Sequence, residues 1–229
     1  MSFNIAISTE DLVVLVSDRR SAVLPKNYKD GMKEEAIKNC LTDDQSKILK
    51  INRNTFALGI GWNTFFIPWM KSLKLFHIVL TRKEMMEPLG KLLWLKYCSF
   101  ERRLKKMGIT ADNWGLTWLS LGGFLLGEAN VVNFSSQYAF TPRFIKRGFI
   151  YSKQRGWSEE SELLTRSILE DFISLRDYSI ELRKDVFLRE IKKLMLHLSD
   201  TYKTISPVAD VIFITREGTA IEVLNKKNV

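Results

Sequence analysis

The 229-residue sequence predicts an α+β fold, a four-layer αββα sandwich of two antiparallel sheets flanked by helices. Three observations carry this expectation. The chain opens on two apolar runs separated by a charged turn, continues as strands, helices, strands, helices and strands, and shows no internal repeat or low-complexity tract. A chain of this length can bury one large core, so the whole of residues 1–229 is expected to form a single domain.

Phe3–Ser8 and Leu12–Ser17 read as a hairpin around Glu10-Asp11. Residues 24–46 read as an insertion: Pro25 and Lys26-Asn27 break the strand pattern, and Met32 to Leu41 has the spacing of a short amphipathic helix. A second hairpin follows, Lys47–Asn52 and Thr55–Gly61, turning at Arg53-Asn54. Thr64–His77 reads as a helix with Pro68 in its first turn. Arg82–Met107 reads as a longer helix with Leu89, Leu92, Leu93, Tyr97, Phe100 and Leu104 as its buried stripe and Gly108 as its stop. Strands are expected at Gly115–Leu121 and Phe124–Val132, with Gly122-Gly123 near a turn or bulge, followed by an irregular stretch over residues 134–157. The acids after Ser158 mark a helix start, and helices run to about Tyr202 with a break near Arg176–Tyr178. Strands Asp210–Thr215 and Ala220–Leu224 close the chain.

Bulk properties narrow the function. The sequence has no run of about 20 apolar residues and no basic segment leading into an apolar one near its start, so it predicts no membrane span and no signal peptide. Cys40 and Cys98 lack metal-ligand spacing and read as reduced structural thiols of a cytoplasmic protein, and neither a metal nor a cofactor is expected. The net charge is +9, but the basic pairs are scattered along the chain and do not alternate with aromatics, so they read as a solvated face rather than a nucleic-acid platform. His77 and His197 lie in apolar helical contexts and suggest no Ser-His-Asp triad.

The residues that could carry chemistry lie at the start. With Met1 removed, Ser2 would hold both a hydroxyl and a free α-amine, and such a residue can use its own amine as the base. Asp18 follows 16 residues later, at the end of the second predicted strand.

These residues, with Val16-Ser17-Asp18-Arg19-Arg20, Lys47-Ile48-Leu49-Lys50-Ile51, Ala57-Leu58-Gly59-Ile60-Gly61, Leu121-Gly122-Gly123 and Asp210-Val211-Ile212-Phe213-Ile214-Thr215-Arg216, resemble the proteasome-type N-terminal-nucleophile hydrolases: 20S proteasome β subunits, HslV and the Anbu proteins. The resemblance implies a catalytic set of Ser2, Asp18, Lys47, Gly61, Asp200 and Ser136. Ser2 would attack a carbonyl, with its α-amine taking the proton. Lys47 would place a positive charge beside it, paired with Asp18, and the Gly61 N–H would face the oxyanion. Asp200 would be the second aspartate, and Ser136 the serine of a loop that in the family is glycine-flanked; here that loop reads Asn133-Phe134-Ser135-Ser136-Gln137. Lys33 stands nearer the family's raw sequence distance but lacks the strand pattern that follows Lys47.

The resemblance also implies substrate contacts from Ser21, Ala22, Gly59 and Asn63, with Trp62 beside the cleft. It implies a peptide or unfolded-protein substrate, a homo-oligomer built as a ring or related assembly, and an ATP-dependent unfoldase as partner. Two alternatives stay open: a catalytically silent protein of the same fold that assembles or binds, and an amidase or acyltransferase acting on a small amide.

Overall fold

The computed structural model describes residues 3–22, 41–43, 45–61, 63–74, 83–106, 108, 117–125, 127–152 and 156–225. Most of the predicted insertion therefore lies outside the described residues, including its expected helix up to residue 40; Leu41, at the end of that helix, stands instead in a short strand.

Two five-stranded antiparallel sheets and four α-helices make up the described fold. The first sheet contains β1 (Asn4–Ser8), β2 (Val13–Asp18), β10 (Gly148–Tyr151), β11 (Ala209–Ile214) and β12 (Thr219–Leu224), in the order β10-β1-β2-β11-β12. The second is a meander of β5 (Ile48–Asn52), β6 (Thr55–Ile60), β7 (Trp118–Leu125), β8 (Glu128–Ser135) and β9 (Arg143–Ile145) in sequence order. A separate ribbon pairs β3 (Ser21–Ala22) with β4 (Leu41–Thr42). The helices are α1 (Asn63–Leu73), α2 (Met86–Lys106), α3 (Glu159–Ser174) and α4 (Ile180–Thr201).

The two-residue period of a strand sorts the apolar side chains into layers. Ala6, Val13, Leu15, Ile212 and Ile214 of the first sheet share a core with Ile48, Phe56, Leu58, Ala129 and Val131 of the second. The alternate residues, Ile5, Ile7, Val14, Val16, Val211 and Phe213, face α3 and α4. Both faces of β1 and β2 are thus covered, which explains why every residue of these strands is buried. The second sheet turns Ala57, Leu119, Leu121, Val132 and Phe134 toward α1 and α2.

Local chemistry explains the helix boundaries. The Ser158 and Ser179 hydroxyls accept the N–H groups of Ser161 and Leu182, capping α3 and α4. Leu93, Tyr97, Phe100 and Leu104 recur every three or four residues and form the buried stripe of α2. Leu92, expected in that stripe, is 43% exposed, because one residue along a helix turns the side chain about 100° away from Leu93. Pro68 sits in the second turn of α1 rather than the first, at a position where a proline removes an internal hydrogen bond.

Two expectations about the middle of the chain are corrected. Gly122-Gly123 marks neither a turn nor a strand end; both glycines lie inside β7, and the hairpin to β8 turns after Leu125. A Cβ on Gly122 would stand 2.8 Å from Leu15 Cδ2 on the facing sheet. One on Gly123, whose φ is +154°, would stand 2.0 Å from the Asn54 carbonyl oxygen. Here glycine serves close approach of neighbouring backbone and sheet. Residues 134–157 are likewise not irregular throughout, since they hold the end of β8 together with β9 and β10. These two are short edge strands, half-buried or exposed, so their alternation is weak in sequence.

One ion pair fastens the first hairpin to the helices. The Arg183 side chain, 1% exposed at the start of α4, directs both terminal nitrogens to the carboxylate of Asp11, with Nη1 to Oδ1 at 3.1 Å. Burial pushes the Asp11 carboxyl upward, but the Arg183 and Thr9 hydrogen bonds outweigh it and hold it below the ordinary range. Its contribution is therefore present above the unfolded value of about 3.9 and is lost as pH falls through the lower folded value. Asp11→Asn is expected to cost about 1–3 kcal/mol at pH 7, at the low end for a buried pair because Asp11 itself is half exposed. Urea melts at pH 7 and pH 3 check this: the gap between the two proteins should narrow at pH 3, and a gap of unchanged size would contradict the assignment.

Candidate functional site

Four strand ends meet at one corner of the two sheets. The start of β1 and the end of β2 lie together, because Asn4 pairs with Ser17 and the Asp18 N–H donates to the Phe3 carbonyl at 3.0 Å. On the other sheet the start of β5 lies beside the end of β6, where the Gly59 N–H donates to the Lys47 carbonyl at 3.2 Å. The Asn4 side-chain amide crosses between the sheets to the Gly59 carbonyl at 3.3 Å.

At this corner Lys47 Nζ lies 2.8 Å from Asp18 Oδ1. Both side chains are buried, Lys47 at 5% exposure and Asp18 at 0%. A buried ion pair needs further hydrogen bonds to offset its desolvation, and Asp18 has three from the backbone. Oδ1 also accepts the Phe3 N–H at 2.9 Å, while Oδ2 accepts those of Arg20 at 3.2 Å and Ser206 at 3.4 Å. Burial pushes the Lys47 ammonium below the ordinary lysine range, and the charges of Asp18 and Asp43 oppose that shift. The corner thus holds a lysine whose proton is less tightly bound than usual, beside a carboxylate fixed from both oxygens.

The residue joined to the Phe3 nitrogen is Ser2. Ser2 lies outside the described residues, as do Lys33, Trp62 and His77. Gly59 is buried in β6, and Gly61 follows the strand with φ +120°, a conformation that favours glycine. Ser21 is buried in β3, its hydroxyl 3.1 Å from that of Thr42, and Ala22 adjoins it. Asn63 begins α1, two residues after Gly61.

Two of the sequence-derived residues do not join the Lys47–Asp18 pair. Ser136 follows β8 at the same end of the second sheet, but its hydroxyl accepts the Thr117 N–H at 3.1 Å. Asp200 is exposed on the last turn of α4 and, among the described residues, has no side-chain hydrogen bond or ion pair. The loop that follows Asp200 does reach the corner, through Ser206 and through the Lys203 carbonyl, which accepts from the Arg20 guanidinium.

Sequence reasoning missed Ser206 and Asp43. Ser206 is fully buried; besides its N–H bond to Asp18, its hydroxyl accepts the Val208 N–H at 3.0 Å. The serine before Pro207 carries no motif of its own, whereas Asp43 had a faint signal as one of two adjacent acids just before Lys47. His197 stands away from this corner, with Nε2 3.3 Å from the Ser161 hydroxyl between α3 and α4.

Among the described residues no group of three or more His, Cys, Asp or Glu side chains could hold a metal ion, and no helix is long and apolar enough to cross a membrane. No protein-family model matches the chain, and no curated protein matches it either.

Proposed function

We propose that this chain is a proteasome-type N-terminal-nucleophile hydrolase that cleaves amide bonds through Ser2. The observation that carries this reading is the buried Lys47–Asp18 pair set directly against the Phe3 N–H, one bond from Ser2. Two facing antiparallel sheets with helices on their outer faces support the four-layer arrangement of that fold.

In this mechanism the Ser2 hydroxyl adds to the substrate carbonyl carbon as its proton passes to the Ser2 α-amine. The Lys47 ammonium lowers the cost of the developing alkoxide and, by like-charge repulsion, keeps the α-amine neutral and able to act as base. The tetrahedral oxyanion points at the Gly61 N–H. Collapse breaks the C–N bond, the α-ammonium returns its proton to the leaving amine, and an ester to Ser2 remains. Water then hydrolyses the ester with the same amine as base. Asp18 holds Lys47 in position and takes no proton. Ser21, Ala22, Gly59 and Asn63 border the strand ends where a substrate backbone would lie. The same reading makes the protein a cytoplasmic homo-oligomer acting on peptides or on unfolded protein, fed by an ATP-dependent unfoldase.

A second reading, a catalytically silent protein of the same fold, is favoured by one observation. The Ser136 hydroxyl is engaged by the Thr117 N–H and Asp200 is exposed, so neither bonds to the Lys47–Asp18 pair. A panel of peptide and small-amide substrates separates the readings. Hydrolysis should appear in the unaltered protein and fall by at least about 100-fold in Lys47→Met, with a circular-dichroism spectrum unchanged. No turnover of any amide would leave the silent reading standing, and equal turnover in the variant would contradict the role given to Lys47.

A further inference from the structure

We propose that Asp43 is a positioning residue: by holding the Arg20 guanidinium, it keeps the Asp18 carboxylate for Lys47 and so sets the charge of Lys47. The Arg20 backbone N–H is bound to Asp18 Oδ2, so the Arg20 side chain starts beside the carboxylate it could capture. An arginine fork favours bidentate pairing with a carboxylate. Asp43 supplies that partner: Arg20 Nε lies 2.7 Å from Oδ1 and Nη2 2.9 Å from Oδ2. The remaining terminal nitrogen goes to the Lys203 carbonyl, which occupies the guanidinium on a third side.

A second route ties Asp43 to the same corner. The Ser206 N–H bonds Asp18 Oδ2, and the Ser206 side chain joins Arg20 in holding the Asp43 carboxyl below its ordinary range. Asp43 follows β4, so it reaches the corner from the ribbon β3–β4 rather than from either main sheet. The charged groups acting on Lys47 are then Asp18 at the end of β2, Asp43 beyond β4 and Arg20 beyond β2. Two carboxylates and one guanidinium leave a net negative surround that favours the ammonium. Neutralising Asp43 would remove one carboxylate and free Arg20 to compete for the other, and both effects disfavour it.

The catalytic consequence rests on the hydrolase reading, but the effect on Lys47 charge does not, so the test needs no substrate. The Cε signal of Lys47 in protein labelled with [13C]lysine, assigned by its absence in Lys47→Arg, is followed against pH. Asp43→Asn should move its midpoint to lower pH, Asp43→Glu should move it back, and Arg20→Gln should raise it. The double variant Arg20→Gln/Asp43→Asn, which removes one charge of each sign, should return close to the unaltered midpoint. An unchanged midpoint in Asp43→Asn, or a double variant displaced as far as Asp43→Asn, overturns the proposal. If Asp43→Asn does not fold, the upward shift in Arg20→Gln decides it, and no shift there overturns it. A Lys47 response as described together with no amide hydrolysis would sink the hydrolase reading and leave the clamp standing.

Discussion

Replacing Asp18 with alanine is expected to destabilise the protein by about 3–5 kcal/mol, while Lys47→Met costs only about 1–2 kcal/mol. The asymmetry follows from the hydrogen bonds. Asp18 is the acceptor for the Phe3, Arg20 and Ser206 N–H groups as well as for Lys47, so its removal leaves three backbone donors and one buried ammonium without a partner. Removing Lys47 leaves the carboxylate with its three N–H donors, and methionine fills most of the lysine volume with apolar atoms. Urea denaturation of both variants at pH 7 checks the ranking. Equal losses, or a loss below about 1 kcal/mol for Asp18→Ala, would mean that the pair does not organise this corner.

The second large effect is on activity. Ser2→Ala should lower kcat/KM for any amide substrate by about 10,000-fold or more, the scale seen when a nucleophile is removed. Ser2→Thr should keep most of it, since threonine retains both the hydroxyl and the α-amine. The pair of variants separates a hydroxyl that reacts from one that only packs. Activity of Ser2→Ala within tenfold of the unaltered protein would place the nucleophile elsewhere.

Much of this corner was legible in the sequence because its parts lie in strongly patterned segments. The two opening strands are apolar on both faces, and Asp18 and Lys47 sit at the ends of readable strands. The resemblance pairs those two residues, and their side chains stand 2.8 Å apart. What was not legible depends on tertiary contacts. Gly122 and Gly123 look like turn residues, yet the facing Leu15 and the Asn54 carbonyl make them the small residues of a strand interior. Ser206 and Asp43 gain their roles only when the α4–β11 loop and the end of β4 fold against Arg20. Ser136 takes its expected place from a loop pattern whose flanking glycines are absent here, and Asp200 from its place near the end of a helix; neither bonds to the pair. Strand ends are marked by local patterning, whereas loop geometry is set by contacts far apart in sequence.

The proposed mechanism requires that Ser2 carry a free α-amine. The intact mass of the purified, untagged protein tests it most directly. The account predicts a mass lower by one methionine than the full sequence, which exposes Ser2. A mass that retains Met1 would deny Ser2 its amine and contradict the mechanism.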